Sequence, residues 1–347
     1  MTTAISGIKP TGPLHLGNYL GMIKPSLALA EKCERSFYFV ADYHALNSLQ
    51  DRIRLRQLTL DVAAGLVALG LDPERTLLYR QSDVPETFEL ATILAVVTPK
   101  GLMNRAHAYK AVTAANEARG RPHDEGVNLG LYTYPVLMAA DILVMGAELV
   151  PVGQDQAQHV EIARDLAASF NDAFGPILEP PSTVIEGEVE VIPGLDGRKM
   201  SKSYANTIPL FGSPEERRRL VARIRTDSRT PEEPKDPESC LVHGLYRLLA
   251  SPAEAAEMRR RYLMGGTGYA EAKAALDQVL ERELGPARKR FHDLRADEPS
   301  LEALLAEGAR TARQTAQSTL ARVRFAVGAT ARFGTPSLPS PQGLGTD

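Results

Sequence analysis

The sequence predicts an α/β fold, a doubly wound parallel sheet followed by an α-helical region. Three observations lead there. Short apolar runs alternate with helical patterns over residues 1–205, as βαβ units with right-handed crossovers require. A Gly/Pro-punctuated turn, Thr11-Gly12-Pro13-Leu14-His15-Leu16-Gly17-Asn18, separates the first strand from the first helix. Such sheets bind ligands beyond the carboxyl ends of their strands, where that turn would lie. From Pro214 to about residue 328 the pattern is helical.

Taken in order, Ala4 to Ile8 reads as a buried strand and Leu16 to Ala30 as a helix. Phe37 to Val40 and Thr76 to Tyr79 are rich in strand-forming residues. Arg52 to Leu69 is helical and exits at Gly70 with Pro73 beyond, and Glu86 to Val97 is the next helix. Ala114 to Asn128 is polar and carries Gly120, Pro122 and Gly126, so a mobile surface loop is expected. In Tyr134 to Asp141, Pro135 suits a first helical turn. Tyr134, Met138 and Asp141 then share a face. A carboxylate among so many apolar neighbours needs a partner. Asp141 is either paired with a buried Arg or a backbone N–H, or it is an acceptor at the floor of an apolar pocket.

Ser213-Pro214-Glu215-Glu216 is a strong helix start, and the helix carries Arg217, Arg218, Arg219, Arg223 and Arg225. That run is either a solvated, salt-bridged face or a phosphate-contacting surface. Helices are expected around 253–264, 269–284 and 299–326, the last with a packing stripe from Leu301 to Val323. Residues 329–347, rich in Pro, Gly and Ser, are expected to be disordered. No internal repeat of fixed period is present.

The chain has 347 residues, a prior for two domains. A net charge of −3 argues against nucleic-acid binding by the whole surface, so an RNA partner would need local basic patches. Cys33 and Cys240 are too few for a disulfide framework or a cysteine zinc site, which fits a reducing compartment. No secretory signal is visible near Lys9 and Pro10. The longest apolar run, Tyr134 to Gly153, is interrupted by Asp141 and Glu148, which makes it core. A soluble, cytoplasmic protein is expected, without membrane or DNA contact.

The turn at Thr11 to Asn18, paired with Lys199-Met200-Ser201-Lys202-Ser203, resembles the HIGH and KMSKS signatures of class I aminoacyl-tRNA synthetases. Ser6 to Gly12, Gly17-Asn18-Tyr19, Asp42 to Ala45, Tyr134 to Leu143, Val150 to His159 and Thr226-Asp227-Ser228 extend the likeness to the bacterial tryptophanyl family, over about residues 4–327. Related tyrosyl enzymes carry Tyr-x-x-x-Gln-x-x-Asp on their specificity helix. Here Met138 stands at the amide's place, and a thioether suits a bicyclic indole.

The resemblance implies a Rossmann-like catalytic domain over 1–205 and a helical tRNA anticodon-binding region over 206–328. It implies ATP across Lys9, Pro10, Thr11, Gly17, Asn18, Gly153, Gln154, Asp155, Ile192 and Lys199 to Ser203, with Mg²⁺ arriving on the nucleotide. Within that last run it assigns Lys199, Met200, Ser201, Lys202 and Ser203 to the phosphates, and His15, Asn18, Lys199 and Lys202 to catalysis. Asp141 would accept the indole N–H, with Ile5, Gly7, His44, Met138 and Val152 shaping the pocket. Tyr134 and Gln156 would hold the ammonium group. Partners would be L-tryptophan, tRNA(Trp) and a second copy. Ile5 departs from a common Phe, Lys9 from a Gln and Gln154 from a Glu, and Leu102 to Lys110 also differs. The alternatives are a paralogue activating tyrosine, a non-catalytic tRNA- or amino-acid-binding regulator, and a small-molecule adenylyltransferase.

Overall fold

A computed structural model describes residues 2–153, 156–184 and 191–330. The chain runs β1 (Thr3–Ile8), α1 (Leu16–Asn18), a π-helical turn (Tyr19–Ile23), α2 (Lys24–Ala30), β2 (Arg35–Val40), α3 (Asp42–Ala45) and α4 (Arg52–Ala68). It continues with β3 (Thr76–Arg80), a 3₁₀ turn (Gln81–Asp83), α5 (Glu86–Val96), α6 (Lys100–Met103), α7 (His107–Ala118) and α8 (Leu129–Val144). Then come β4 (Leu149–Pro151), α9 (Ala157–Phe174) and β5 (Ser182–Val184). A 3₁₀ turn (Lys202–Tyr204) precedes α10 (Pro214–Ala222), α11 (Leu241–Arg247), α12 (Pro252–Met264), α13 (Tyr269–Ala296) and α14 (Glu298–Ala326).

The five strands form one parallel sheet in the order β3-β2-β1-β4-β5. β1 and β2 are buried on both faces, which is why they read as near-continuous apolar runs. The order reverses between β1 and β4, and that switch point opens a crevice at the strands' carboxyl ends. On one face Leu14, Tyr38, Val40 and Leu66 join a core continuous with Leu245, Tyr262 and Leu280 of the helical region. On the other, Ile5 and Phe37 pack with Leu143 of α8, Phe170 of α9 and Leu320 of α14.

The expected α/β sheet and helical C-terminal region are present, with four local corrections. The helix expected over Leu16 to Ala30 is interrupted by the π-helical turn. The stretch from Ala114 belongs to α7 as far as Ala118, and only its remainder is loop. Asn116 anchors that loop, donating to the carbonyls of His123 and Glu125 at 3.0 and 2.8 Å, so polar composition concealed an ordered turn. Pro135 lies in the interior of α8, because Asn128 caps the helix about two turns earlier, accepting from the Leu131 N–H at 2.7 Å. Helix α13 continues through Gly285 and Pro286 to Ala296, and Phe291 beyond them stacks on Phe211 at 4.1 Å between centroids. Tertiary packing there overrides a local stop signal. Residues 331–347 of the expected disordered tail lie outside the described residues.

The arginine run divides. Arg217 is buried and ion-paired with Asp277 and Glu281 of α13, and Arg218 pairs with Glu215. The helix stops at Ala222, so Arg223 and Arg225 lie beyond it. The stripe on α14 does pack, but against the parallel sheet. Its Gly308 presses on the Leu78 carbonyl of edge strand β3, where an added Cβ would sit 1.9 Å away. Arg313 and Arg324 reach Glu86 and Glu89 of α5, and Glu302 meets Arg80. The last helix therefore covers the sheet's open edge, where unpaired backbone would otherwise face solvent.

Candidate active site

A cavity of about 340 Å³ occupies the switch point. Ile5, Gly7 and Lys9 bring β1 and its continuation to the wall; Val152, Gly153 and Gln156 come from beyond β4. Tyr134 and Met138 of α8, His44 of α3, Thr11, Asn18 and Lys202 line it as well, whereas His15, Gly17 and Met200 of the expected set do not. Leu14, Met22, Phe39 and Ile142 also line it, unassigned by the sequence reading. Gly7 is required on steric grounds, since a Cβ there would meet the Phe39 ring at 2.4 Å. Phe39 in turn stacks on Tyr79 at 5.9 Å, a rigid aromatic floor. A larger groove of about 480 Å³ lies between Arg80 and Arg313 on α14, both already ion-paired and remote from this chemistry.

Asp141 does not line the cavity; it is 3% exposed behind His44. His44 Nε2 and an oxygen of Asp141 are 2.9 Å apart, and Gln81 Nε2 donates to both carboxylate oxygens at 2.9 Å. Burial pushes the carboxyl up, and the His44 and Gln81 contacts oppose the shift. Of the two options open in sequence, a paired carboxylate is what the structure contains. Its partners are a histidine and a glutamine, and no Arg is involved. Gln81 escaped the sequence reading because it sits on a turn just beyond β3 with no motif around it. The Tyr134 hydroxyl pairs with the His159 ring, and burial raises the phenol, keeping it protonated.

At the mouth, Lys202 Nζ donates to the Gly12 carbonyl at 2.8 Å. Burial holds this ammonium at about 8 and also lowers Lys9. Burial and the Lys202 charge lower His15 to about 4. His15 is thus neutral at pH 7. Its Nδ1 accepts from the Asn18 N–H at 3.3 Å, which leaves the ring proton on Nε2 as a donor. Asn18 Oδ1 accepts from the His15 N–H at 3.1 Å, closing a reciprocal cap. The N–H groups at this helix start are therefore occupied. Gly17 is occupied too, its N–H directed at the Met200 sulfur at 3.2 Å.

The segment bearing Lys199 to Ser203 is a hairpin fastened from behind. Met200 N–H donates to the Ile192 carbonyl at 2.8 Å, and Pro193 bridges Lys199. Buried Asn206 accepts from Ser201 N–H at 2.8 Å and donates to Asp196 at 2.7 Å and the Lys199 carbonyl at 3.2 Å. Leu16 N–H to Ile208 carbonyl and Leu210 N–H to Leu14 carbonyl then tie this hairpin to the first turn. Two motifs some 185 residues apart in sequence thus share one frame, as the pairing of 15 with 209 records. Asn206 was missed because it lies just beyond the recognisable motif. Pro10, Lys199, Ser201 and Ser203 do not line the cavity, nor does Ile192. Gln154 and Asp155 lie outside the described residues.

The model of the family described as class I tRNA synthetases (W and Y) matches residues 1–285. The tryptophan–tRNA ligase of Pseudomonas aeruginosa is 50% identical over 333 residues, 94% of this chain and 74% of that protein. The corresponding ligase of Xanthomonas campestris is 48% identical over 330 residues, 94% and 76% of the two chains. Among solved structures, the tryptophanyl-tRNA synthetase of Campylobacter jejuni, complexed with ADP and tryptophan, superimposes with a TM-score of 0.86. It is 40% identical and covers 94% of this chain and all of that one, 100%. The fold agrees with these matches, and the chain belongs to the class I tRNA synthetases of the tryptophan and tyrosine branch.

Proposed function

We propose that the chain is an ATP-dependent tryptophan–tRNA ligase: it activates L-tryptophan to tryptophanyl-adenylate and transfers it to tRNA(Trp). The observation that carries this is one cavity with two chemistries. Its mouth holds two ammonium groups, Lys9 and the half-buried Lys202, and its interior holds Met138 and His44 in front of the Asp141 carboxylate. Two cationic side chains converging at one mouth favour a polyanion such as a triphosphate. An apolar slot whose wall is backed by a buried acceptor favours an aromatic ring bearing an N–H.

In this reading the tryptophan carboxylate attacks the α-phosphate in line, and pyrophosphate leaves. The 2′-hydroxyl of the terminal tRNA adenosine then displaces AMP. The protein supplies orientation and charge stabilisation, as transfer at phosphorus demands. His15 donates from Nε2, Lys9, Thr11 and Lys202 hold the phosphates, and Lys199 reaches them when the hairpin closes. Pro10, Gly17, Asn18, Gly153, Gln154, Asp155, Ile192, Met200, Ser201 and Ser203 complete the nucleotide contacts. Tyr134 and Gln156 take the ammonium, and Ile5, Gly7, Met138 and Val152 enclose the ring. Among the described residues no group of three or more His, Cys, Asp or Glu could hold a metal ion. Mg²⁺ therefore belongs to this reading as a companion of ATP, and no step runs through it. Residues 206–328 are proposed to bear the tRNA contacts, and the enzyme to work as a cytoplasmic homodimer. No helix among the described residues is long and apolar enough to cross a membrane.

Charging of tRNA(Trp) with labelled tryptophan in the presence of ATP tests the reading, and activation without transfer would reduce it to a partial reaction. Lys202 gives a pH signature. Its folded value of about 8 means the charge is lost as pH rises through that point, so the KM for ATP should rise above about pH 8. Lys202→Arg keeps its charge to higher pH and should flatten that rise, whatever its absolute KM. Asn206→Ala should lower kcat by about tenfold or more while the Kd for tryptophan stays within about twofold, because it loosens only the phosphate-side hairpin.

A further inference from the structure

The carboxyl end of β3 carries the side chain on which the buried acceptor depends. Gln81 is 1% exposed and makes contacts at both ends of its amide. Oε1 accepts the His44 backbone N–H at 3.3 Å, and Nε2 donates to the two Asp141 oxygens at 2.9 Å. A backbone N–H can only donate, so Oε1 must face His44 and the amide N–H must face the carboxylate. A donor directed at both oxygens leaves no place on that side for a carboxylic proton. We infer that Gln81 is a positioning residue for substrate recognition, holding Asp141 as an oriented carboxylate acceptor for the ring N–H of the amino acid. The inference rests on the role given to Asp141 in the proposed function.

The surroundings support a fixed geometry. Next to Gln81, Ser82 donates from Oγ and N–H to Asp42 at 2.5 and 3.1 Å. From outside, Glu86 at the start of α5 accepts from Arg313 and Gln317 of α14 at 3.0 and 2.8 Å. The turn is thus clamped on both sides. Besides His44, the titratable group facing Asp141 is Tyr79 of β3, fully buried and raised well above its ordinary value by burial and by the Asp141 charge. It stays a phenol throughout the working range, so His44 and Gln81 are the groups that offset the burial of the Asp141 charge.

The test uses Gln81→Met, which keeps length and removes the donor, with Gln81→Glu as an isosteric second variant should the first not fold. The chain contains no tryptophan, so fluorescence of added tryptophan reports binding directly. Gln81→Met should raise the Kd and KM for tryptophan by about 10- to 100-fold, with the KM for ATP within about twofold. It should also shift the pH dependence. Removing a donor to the charged form raises the Asp141 value further, so as pH is lowered the Kd of the variant should begin to climb at a higher pH than that of the parent. Gln81→Glu should show a steeper climb, because two adjacent carboxylates share one proton. A Kd within about twofold of the parent at every pH would overturn the inference. So would a loss of equal size at both ends of the pH range, which marks a merely structural role. A parent chain that neither binds nor activates tryptophan would overturn the proposed function and this inference with it.

Discussion

Replacing Asp141 by alanine is expected to lower kcat/KM for tryptophan by about two to three orders of magnitude. The substitution removes the one buried carboxylate behind the apolar slot and strands two donors, His44 Nε2 and Gln81 Nε2, that now end on it. Both losses fall on tryptophan and neither on ATP, whose proposed contacts lie at the mouth around Lys9 and Lys202. The KM for ATP should therefore change little. The discrimination between tryptophan and phenylalanine should collapse. A site built around a buried hydrogen bond rejects the analogue lacking that group by roughly 10⁴–10⁵, and loses this once the acceptor is gone. Steady-state exchange kinetics with both amino acids check this, and unchanged discrimination would remove Asp141 from its role.

The largest effect on stability is expected at Gly308. An alanine Cβ there would stand 1.9 Å from the Leu78 carbonyl, so α14 or edge strand β3 must move. Overpacking of this kind costs about 1–3 kcal/mol, occasionally more. The displaced helix also carries Arg313 and Arg324, which pair with Glu86 and Glu89 beside the Gln81 turn. Gly308→Ala should thus lower the urea midpoint and, more mildly, the affinity for tryptophan. Gly101, on α6 with open space around its Cα, is the control, since Gly101→Ala meets nothing within 4 Å. Equal midpoints for the two variants would mean that the contact is not what joins α14 to the sheet.

Much of this was legible in the sequence, for identifiable reasons. Strands β1 to β3 announce themselves because a sheet buried on both faces needs unbroken apolar runs. The two signature segments are legible because phosphate chemistry demands lysines and tight turns at fixed places. Other features depend on partners distant in sequence. Pro135 reads as a helix start and the pattern from 269 as ending near 284, yet both helices run through Pro135 and Pro286 because capping and packing decide elsewhere. Leu301 to Val323 showed a packing stripe without saying that its partner was β3, more than 200 residues earlier. Gln81 and Asn206 are single amides outside any motif, and only their positions beside Asp141 and Lys199 reveal what they do.

The most direct measurement is amino-acid-dependent exchange of pyrophosphate into ATP, run with tryptophan, tyrosine and phenylalanine side by side. The account predicts exchange with tryptophan and none above background with the other two. Exchange driven by tyrosine, or tryptophan binding without any exchange, would contradict it.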